Sequence, residues 1–110
     1  MTLRSREPLR RLGLTEAQLE VFCAKWKVRE LALFGSILRD DFNSGSDVDL
    51  LVRFSMDAKW SLFDHMAMEE EFSRMTGRPV DLVTRASVER SENYLRRRAI
   101  LGSAEVFYAA

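Results

Sequence analysis

Residues 33–52, LFGSILRDDFNSGSDVDLLV, decide the fold of this 110-residue chain. Residues 29–34, RELALF, predict a short strand that Gly35 ends, and Ser36 can cap a short helix reaching about Arg39. The next segment, DDFNSGS, is rich in turn formers and predicts a loop. Residues 47–54 then predict a second strand, apolar at its centre. The stretch is therefore a strand, a Gly-Ser turn, a loop and a strand.

Outward from this stretch, helices alternate with strands. Thr15 and Gln18 match a capping box and predict a helix over 16–26. Further helices are predicted over 61–75 and 87–101, a third strand over 80–84, and a fourth strand or packed tail over 105–108. Residues 1–14 predict a loose N-terminal arm, and 15–110 a single domain. The alternation predicts an α/β class with a small sheet covered by helices. The expected core positions on the first two helices are Leu19, Phe22, Cys23, Trp26, Leu62, Met66, Met68, Phe72 and Met75.

Composition limits the class of protein. Hydrophobic residues make up 46% of the chain, and 17 basic residues balance 17 acidic ones. That balance argues against a generic nucleic-acid coat or a membrane-surface binder. One cysteine and no Cys/His cluster predict neither a disulfide nor a zinc site. With no apolar run of the roughly 18 residues that span a bilayer, and no signal-peptide core, we expect a cytoplasmic protein without a membrane or direct nucleic-acid partner.

Charge is unevenly distributed along the chain. Residues 40–81 contain ten acidic and four basic residues, whereas the two ends together contain seven acidic and thirteen basic. Two interpretations stay open: oppositely charged packing surfaces, or an acidic site that needs cations and is flanked by basic surface for a polyanion. The run Arg96–Arg98 is likewise either a solvated helix face or a docking surface, and His65 either a packing or a catalytic residue.

Three aspartates are candidate metal ligands. Asp47 and Asp49 are two apart at the start of a strand, so their side chains point to one face. Carboxylates this close repel one another unless a cation neutralises them. Asp81 lies inside the third predicted strand between apolar neighbours. If that strand lies beside the Asp47–Asp49 strand, three carboxylates converge, a set that can hold two Mg²⁺ ions.

The Gly35-Ser36 turn is a candidate phosphate site. Glycine lets a phosphate approach the backbone, and a helix that begins here offers unpaired N–H groups. Ser36 adds a hydroxyl donor, and Arg39 could bridge phosphate oxygens. Taken alone, an ordinary turn with a helix cap explains Gly-Ser equally well.

Taken together, these residues resemble a known family. Gly-Ser, ten intervening residues and Asp-X-Asp form the signature of the DNA polymerase β-like nucleotidyltransferase superfamily. The start FGS, Arg39 and the strand RPVDLVT are similar to its minimal nucleotidyltransferase (MNT) branch, and the resemblance covers about residues 15–108. It implies a small mixed sheet with flanking helices. It also implies that Gly35 and Ser36 hold the triphosphate of ATP near Arg39, that Asp47 and Asp49 ligate two Mg²⁺ ions, and that Asp81 completes the site.

The resemblance also implies a function and a partner. MNT proteins of this kind are antitoxins that transfer AMP from ATP to a tyrosine of a HEPN-domain ribonuclease toxin, as type VII toxin–antitoxin pairs. Two alternatives stay open: a non-catalytic antitoxin that acts by binding, and a transferase whose small-molecule acceptor is bound by another chain. The protein could form a homo-oligomer or a hetero-oligomer with the toxin. One departure is that many members have Arg-Gly where this chain has Arg39-Asp40.

Overall fold

The computed structural model describes residues 2–3, 7–35 and 47–110, and within them it contains five strands and five helices. The short helix predicted after Ser36 and the loop predicted over 40–46 lie outside the described residues. None of the described helices is long and apolar enough to cross a membrane. The strands are β1 Thr2–Leu3, β2 Val28–Phe34, β3 Val48–Phe54, β4 Val80–Thr84 and β5 Glu105–Ala109. The helices are α1 Glu7–Leu12, α2 Glu16–Lys25, α3 Leu62–Thr76, α4 Arg85–Glu89 and α5 Tyr94–Ser103.

The strands form one mixed sheet in the order β1-β5-β2-β3-β4. All neighbouring pairs are antiparallel except β3 and β4, which are parallel because α3 carries the chain back across the sheet between them. This confirms the predicted α/β fold with a small mixed sheet and flanking helices. The 105–108 segment is a strand, and it pairs with both β1 and β2.

Alternation along the strands gives the sheet two apolar faces. One face packs against α1, α2 and α3, and Leu33, Leu50 and Leu82 are buried there. The other face packs against α4 and α5, where Leu51 is buried with Val88 and Ile100. Because side chains alternate along a strand, the residues beside Leu50 in sequence face the α4–α5 side. Asp49 is one of these residues.

Capping boxes begin two of the helices, and the one predicted at Thr15 and Gln18 is confirmed. Thr15 and Gln18 form a capping box at α2, and Ser61 and Asp64 form another at α3. Gly77 ends α3 in the left-handed conformation, as a C-terminal glycine does. The four core residues predicted on α2 and its end are buried: Leu19, Phe22, Cys23 and Trp26.

The core prediction for α3 is wrong at two positions. Met68 and Phe72 are buried, but Leu62 is 73% exposed and Met66 is 56% exposed. At about 100° per residue, Leu62 lies roughly 100° and Met66 roughly 140° round the helix from the Met68–Phe72 direction, so they cannot enter the same core.

Two element predictions also need correction. The first residues are not simply a loose arm, because α1 buries Pro8, Leu9 and Leu12. The helix predicted over 87–101 is two helices, since Asn93 caps a new helix by accepting a hydrogen bond from the Arg96 N–H. That second helix continues through Gly102 to Ser103.

Candidate active site

Three carboxylates lie at the edge of the sheet where β3 and β4 begin. Asp49 is the second residue of β3, and in the parallel pairing it lies directly opposite Asp81, the second residue of β4. Asp47 immediately precedes β3, two residues from Asp49. In-register residues of neighbouring strands, separated by about 4.8 Å, point to the same face. The fold therefore places Asp49 and Asp81 side by side on the α4–α5 face, with Asp47 next to them.

The electrostatics of this cluster centre on Asp49. Asp49 is half-buried, whereas Asp47 and Asp81 are exposed. Burial raises the pKa of Asp49, and the negative charges of Asp81 and then Asp47 raise it further. The site therefore holds concentrated negative charge, which a bound cation would relieve.

Gly35 brings the end of β2 against the same carboxylate. Phe34 lies opposite Asp49 in the antiparallel β2–β3 pairing. Gly35 has a φ of +77°, and a Cβ added to it would overlap the carboxylate oxygen Oδ2 of Asp49. Only glycine satisfies both the conformation and the close approach. Gly35 and the Asp-X-Asp motif therefore meet at one point.

The donor set fits a hard divalent cation. Mg²⁺ prefers carboxylate oxygens, uses only one or two from a protein, and keeps other positions for water and substrate phosphates. Among the described residues, no three His, Cys, Asp or Glu side chains are grouped closely enough to hold a metal ion, so Asp47, Asp49 and Asp81 do not form a closed set of ligands. An open site of this kind, with Asp49 at its centre, suits a metal that arrives with a nucleotide.

Part of the predicted site lies outside the residues that the structure describes. Ser36 and Arg39, the other two predicted nucleotide-binding residues, lie outside the described residues, as do Asp40 and Asp41. His65 does lie in the described part, and its Nε2 is 2.6 Å from the carbonyl oxygen of Leu82 on β4. Glu69, one turn further along α3, accepts a hydrogen bond from the Leu82 N–H at 2.8 Å. This pair holds α3 against the free edge of β4, a packing role for His65.

The close packing of Gly35 on Asp49 was missed by the sequence interpretation. The glycine was assigned only to phosphate approach, because sequence spacing does not give the strand register. The register that places Phe34 opposite Asp49 is what creates the contact.

The mixed sheet with flanking helices has the architecture of a nucleotidyltransferase, and Asp49 and Asp81 lie where β3 and β4 begin. The family model of the nucleotidyltransferase domain matches residues 16–105. The chain therefore belongs to the nucleotidyltransferase domain family.

Curated relatives of this chain carry adenylyltransferase names. The chain is 37% identical over 65 residues to protein adenylyltransferase MntA of Thermococcus cleftensis, which covers 59% of this chain and 64% of that protein. It is 34% identical over 64 residues to MJ1379 of Methanocaldococcus jannaschii, a candidate protein adenylyltransferase. That match covers 58% of this chain and 64% of the relative. The matches thus span about 64% of the length of these relatives.

Solved structures share the fold. A toxin–antitoxin complex with AMP-PNP gives a TM-score of 0.65 at 16% identity, covering 88% of this chain and 75% of the other. A candidate minimal nucleotidyltransferase gives 0.59 at 30% identity, covering 87% of both chains. A tri-AMPylated HEPN toxin of Shewanella oneidensis in complex with an MNT antitoxin gives 0.56 at 13% identity, covering 94% and 73%.

Proposed function

We propose that this chain is the antitoxin of a type VII toxin–antitoxin pair and acts as a Mg²⁺-dependent protein adenylyltransferase. Its substrate is ATP, and its acceptor is a tyrosine of a HEPN-domain ribonuclease toxin. The observation that carries the proposal is the strand register, which places Asp49 beside Asp81 and in close contact with Gly35. A metal-dependent transferase needs this convergence of carboxylates and a phosphate-binding turn, whereas a protein that acts only by binding does not.

The proposed site residues fall into two groups, those that bind the metal and those that bind the triphosphate. Asp47, Asp49 and Asp81 hold Mg²⁺, which when bound neutralises charge that develops on the phosphates. Gly35 would contact the triphosphate through its backbone at the end of β2, and Ser36 and Arg39 would donate hydrogen bonds to its oxygens. In the transfer, the tyrosine oxygen bonds to the α-phosphorus, its proton is released, and the bond to pyrophosphate breaks.

Support for the acceptor comes from the relatives. The protein from Thermococcus cleftensis is named for protein adenylyl transfer. One structural neighbour contains an AMPylated HEPN toxin, and another contains an ATP analogue. The present chain shares the fold of these two structural neighbours, and Asp49 and Asp81 lie side by side where β3 and β4 begin.

The proposal predicts a gene for a HEPN protein beside this one, and the experiment is a transfer reaction with that protein as the acceptor. The pair is incubated with ATP, with and without Mg²⁺, and the separated partner is weighed by mass spectrometry and assayed for RNA cleavage. We expect one or more adenylyl groups on a partner tyrosine and loss of ribonuclease activity that persists after separation, because a covalent mark outlasts the complex.

Matched variants identify the site. Asp49→Asn should abolish transfer, whereas Asp57→Asn removes the same charge from an exposed turn residue that pairs with Lys27 and should transfer AMP normally. An unmodified partner that is inhibited only while bound would establish the non-catalytic antitoxin instead. Transfer by Asp49→Asn at the normal rate would refute the proposed site.

A further inference from the structure

A groove runs along the free edge of β4, away from the β3 pairing. It lies between the beginning of α3, the end of β4, and helices α4 and α5, and we call it the α3–α5 groove. It consists of two adjoining clefts of about 470 and 460 Å³. Both clefts are lined by Trp60, Ser61, His65 and Thr84, so they form one continuous depression.

The charge of the α3–α5 groove is one-sided. Arg53 and Arg90 line one cleft, Arg96 lines the other, and among the described residues no carboxylate lines either. Arg53 has only a long ion pair with Glu30, at 3.6 Å. Within residues 7–35 and 47–110, no ion pair neutralises Arg90 or Arg96. In a chain with no net charge, the lining itself carries only positive side chains and favours an anionic ligand. The neighbouring carboxylates of Asp64 and Glu69 accept hydrogen bonds from the backbone N–H groups of Ser61 and Leu82.

An exposed apolar side chain lines the groove: Leu62, at the beginning of α3, is 73% exposed. Large exposed apolar groups on a surface mark protein interfaces. Single-stranded nucleic acids are held by stacking on exposed aromatic rings. Trp60, the aromatic residue that lines the groove, is half-buried, packs edge-on against Trp26 and donates a hydrogen bond to the Trp26 carbonyl. The ligand that matches both features is a protein segment with acidic and apolar side chains.

The groove begins close to the three carboxylates. Val83 lines it and lies two residues after Asp81 on the same face of β4, a separation of about 7 Å along a strand. A protein docked in the groove would therefore extend naturally toward Asp49 and Asp81.

We propose that the α3–α5 groove docks an acidic, amphipathic segment of a partner protein, with Arg96 and Leu62 as contacts. Identifying that partner as the HEPN toxin rests on the proposed function, whereas the groove's preference for acidic protein segments does not.

The test uses a matched pair of arginine variants. Arg96 and Arg98 are both exposed on α5, but only Arg96 lines the groove. Arg96→Glu and Arg98→Glu change the net charge equally, and glutamate in the first turn of a helix is favourable, so Arg96→Glu should fold. Circular dichroism checks the fold of each variant.

The first probe is a fluorescein-labelled amphipathic peptide of leucine, phenylalanine and glutamate, compared by fluorescence anisotropy with the same peptide carrying lysine for glutamate. We expect the acidic peptide to bind at least about tenfold more tightly, Arg96→Glu to remove most of that preference, and Arg98→Glu to keep it. Leu62→Ser should weaken binding of the acidic peptide, and Val21→Ser, which removes an exposed apolar group from α2, should not. Equal binding of the two peptides, equal loss in both arginine variants, or tighter Arg96-dependent binding of an oligouridylate would overturn the proposal.

The second probe is the HEPN acceptor protein of the transfer reaction, whose binding is measured by calorimetry without ATP. Asp49→Asn should bind it as the parent does, and Arg96→Glu should bind it at least about tenfold more weakly. If the parent transfers no AMP, but Arg96→Glu is the only variant that binds the HEPN partner weakly, the docking surface is supported and the enzymatic function is refuted. If Arg96→Glu binds the partner as tightly as Arg98→Glu does, the docking surface falls, whatever the transfer reaction shows.

Discussion

Replacing Gly35 by alanine tests the contact between the Gly-Ser turn and the carboxylate cluster. Gly35 has a φ of +77°, and an added Cβ would overlap the Asp49 carboxylate. The conformation alone costs an L-residue about 1–2 kcal/mol. Overlap in a packed place adds about 1–3 kcal/mol, because a neighbouring group must shift. We therefore expect Gly35→Ala to lower the free energy of unfolding by about 2–5 kcal/mol.

The chain contains its own control for the conformational part of this cost. Gly77 has a φ of +70°, nearly that of Gly35, but an added Cβ there would meet no atom within 4 Å among the described residues. Gly77→Ala should therefore cost only the conformational part, about 1–2 kcal/mol. The difference between the two variants isolates the overlap with Asp49.

A double-mutant cycle assigns that difference to one residue. In an Asp49→Ala background the carboxylate is gone, so Gly35→Ala should cost about as much as Gly77→Ala. The assay is urea unfolding followed by fluorescence of Trp26 and Trp60, which pack edge-on with ring centres 5.2 Å apart. Equal costs for Gly35→Ala and Gly77→Ala in the parent, or an undiminished Gly35→Ala cost without Asp49, would refute the proposed contact.

Two further predictions concern titrating groups in the core and its rim. Burial raises the pKa of Glu71, but hydrogen bonds from Lys25 and Trp26 outweigh it and leave the pKa below its usual value. The stabilisation by Glu71 should therefore be complete above its unfolded pKa of about 4.3 and disappear as the pH falls through the lower folded pKa. Urea unfolding of the parent and Glu71→Gln should show a stability gap at neutral pH that closes in acid; a constant gap would contradict the assignment. Burial raises the pKa of Cys23 to about 12, against a smaller opposing effect of the Tyr108 hydrogen bond. Native protein should thus resist iodoacetamide at neutral pH and react after unfolding, as mass spectrometry would show; rapid labelling of the native protein would contradict this.

Local signals in the sequence predicted much of the fold. The capping box at Thr15 and Gln18 and the strands around Phe34 and Leu50 depend on short-range preferences, and all were found. The helix α1 was missed because its six residues carry too few apolar positions to show a period; only tertiary packing of Leu9 and Leu12 reveals it. The break before α5 had a signal in Asn93, a favoured N-cap residue, which the apolar and basic pattern around it outweighed.

The candidate site was partly predictable for a different reason. That Asp47 and Asp49 share a face follows from strand geometry alone. That Asp81 is their neighbour required β4 to pair with β3 in parallel, and no local preference specifies which strands pair. The surface of α3 shows the same limit, since the exposure of Leu62 and Met66 depends on where the sheet lies relative to the helix.

The position of the carboxylates is set by the core on the opposite face of the sheet. Val48 and Leu50 flank Asp49 and are fully buried against α2 and α3, so a one-residue slip of β3 would send Asp49 into the apolar core and bring both of them out. Burial of these two residues therefore fixes the register that places Asp49 opposite both Phe34 and Asp81. Because β2 and β3 are antiparallel neighbours, Gly35 at the end of β2 and Asp47 before the start of β3 lie at the same end of these two strands. The Gly-Ser turn and the aspartate pair are then held together by strand pairing.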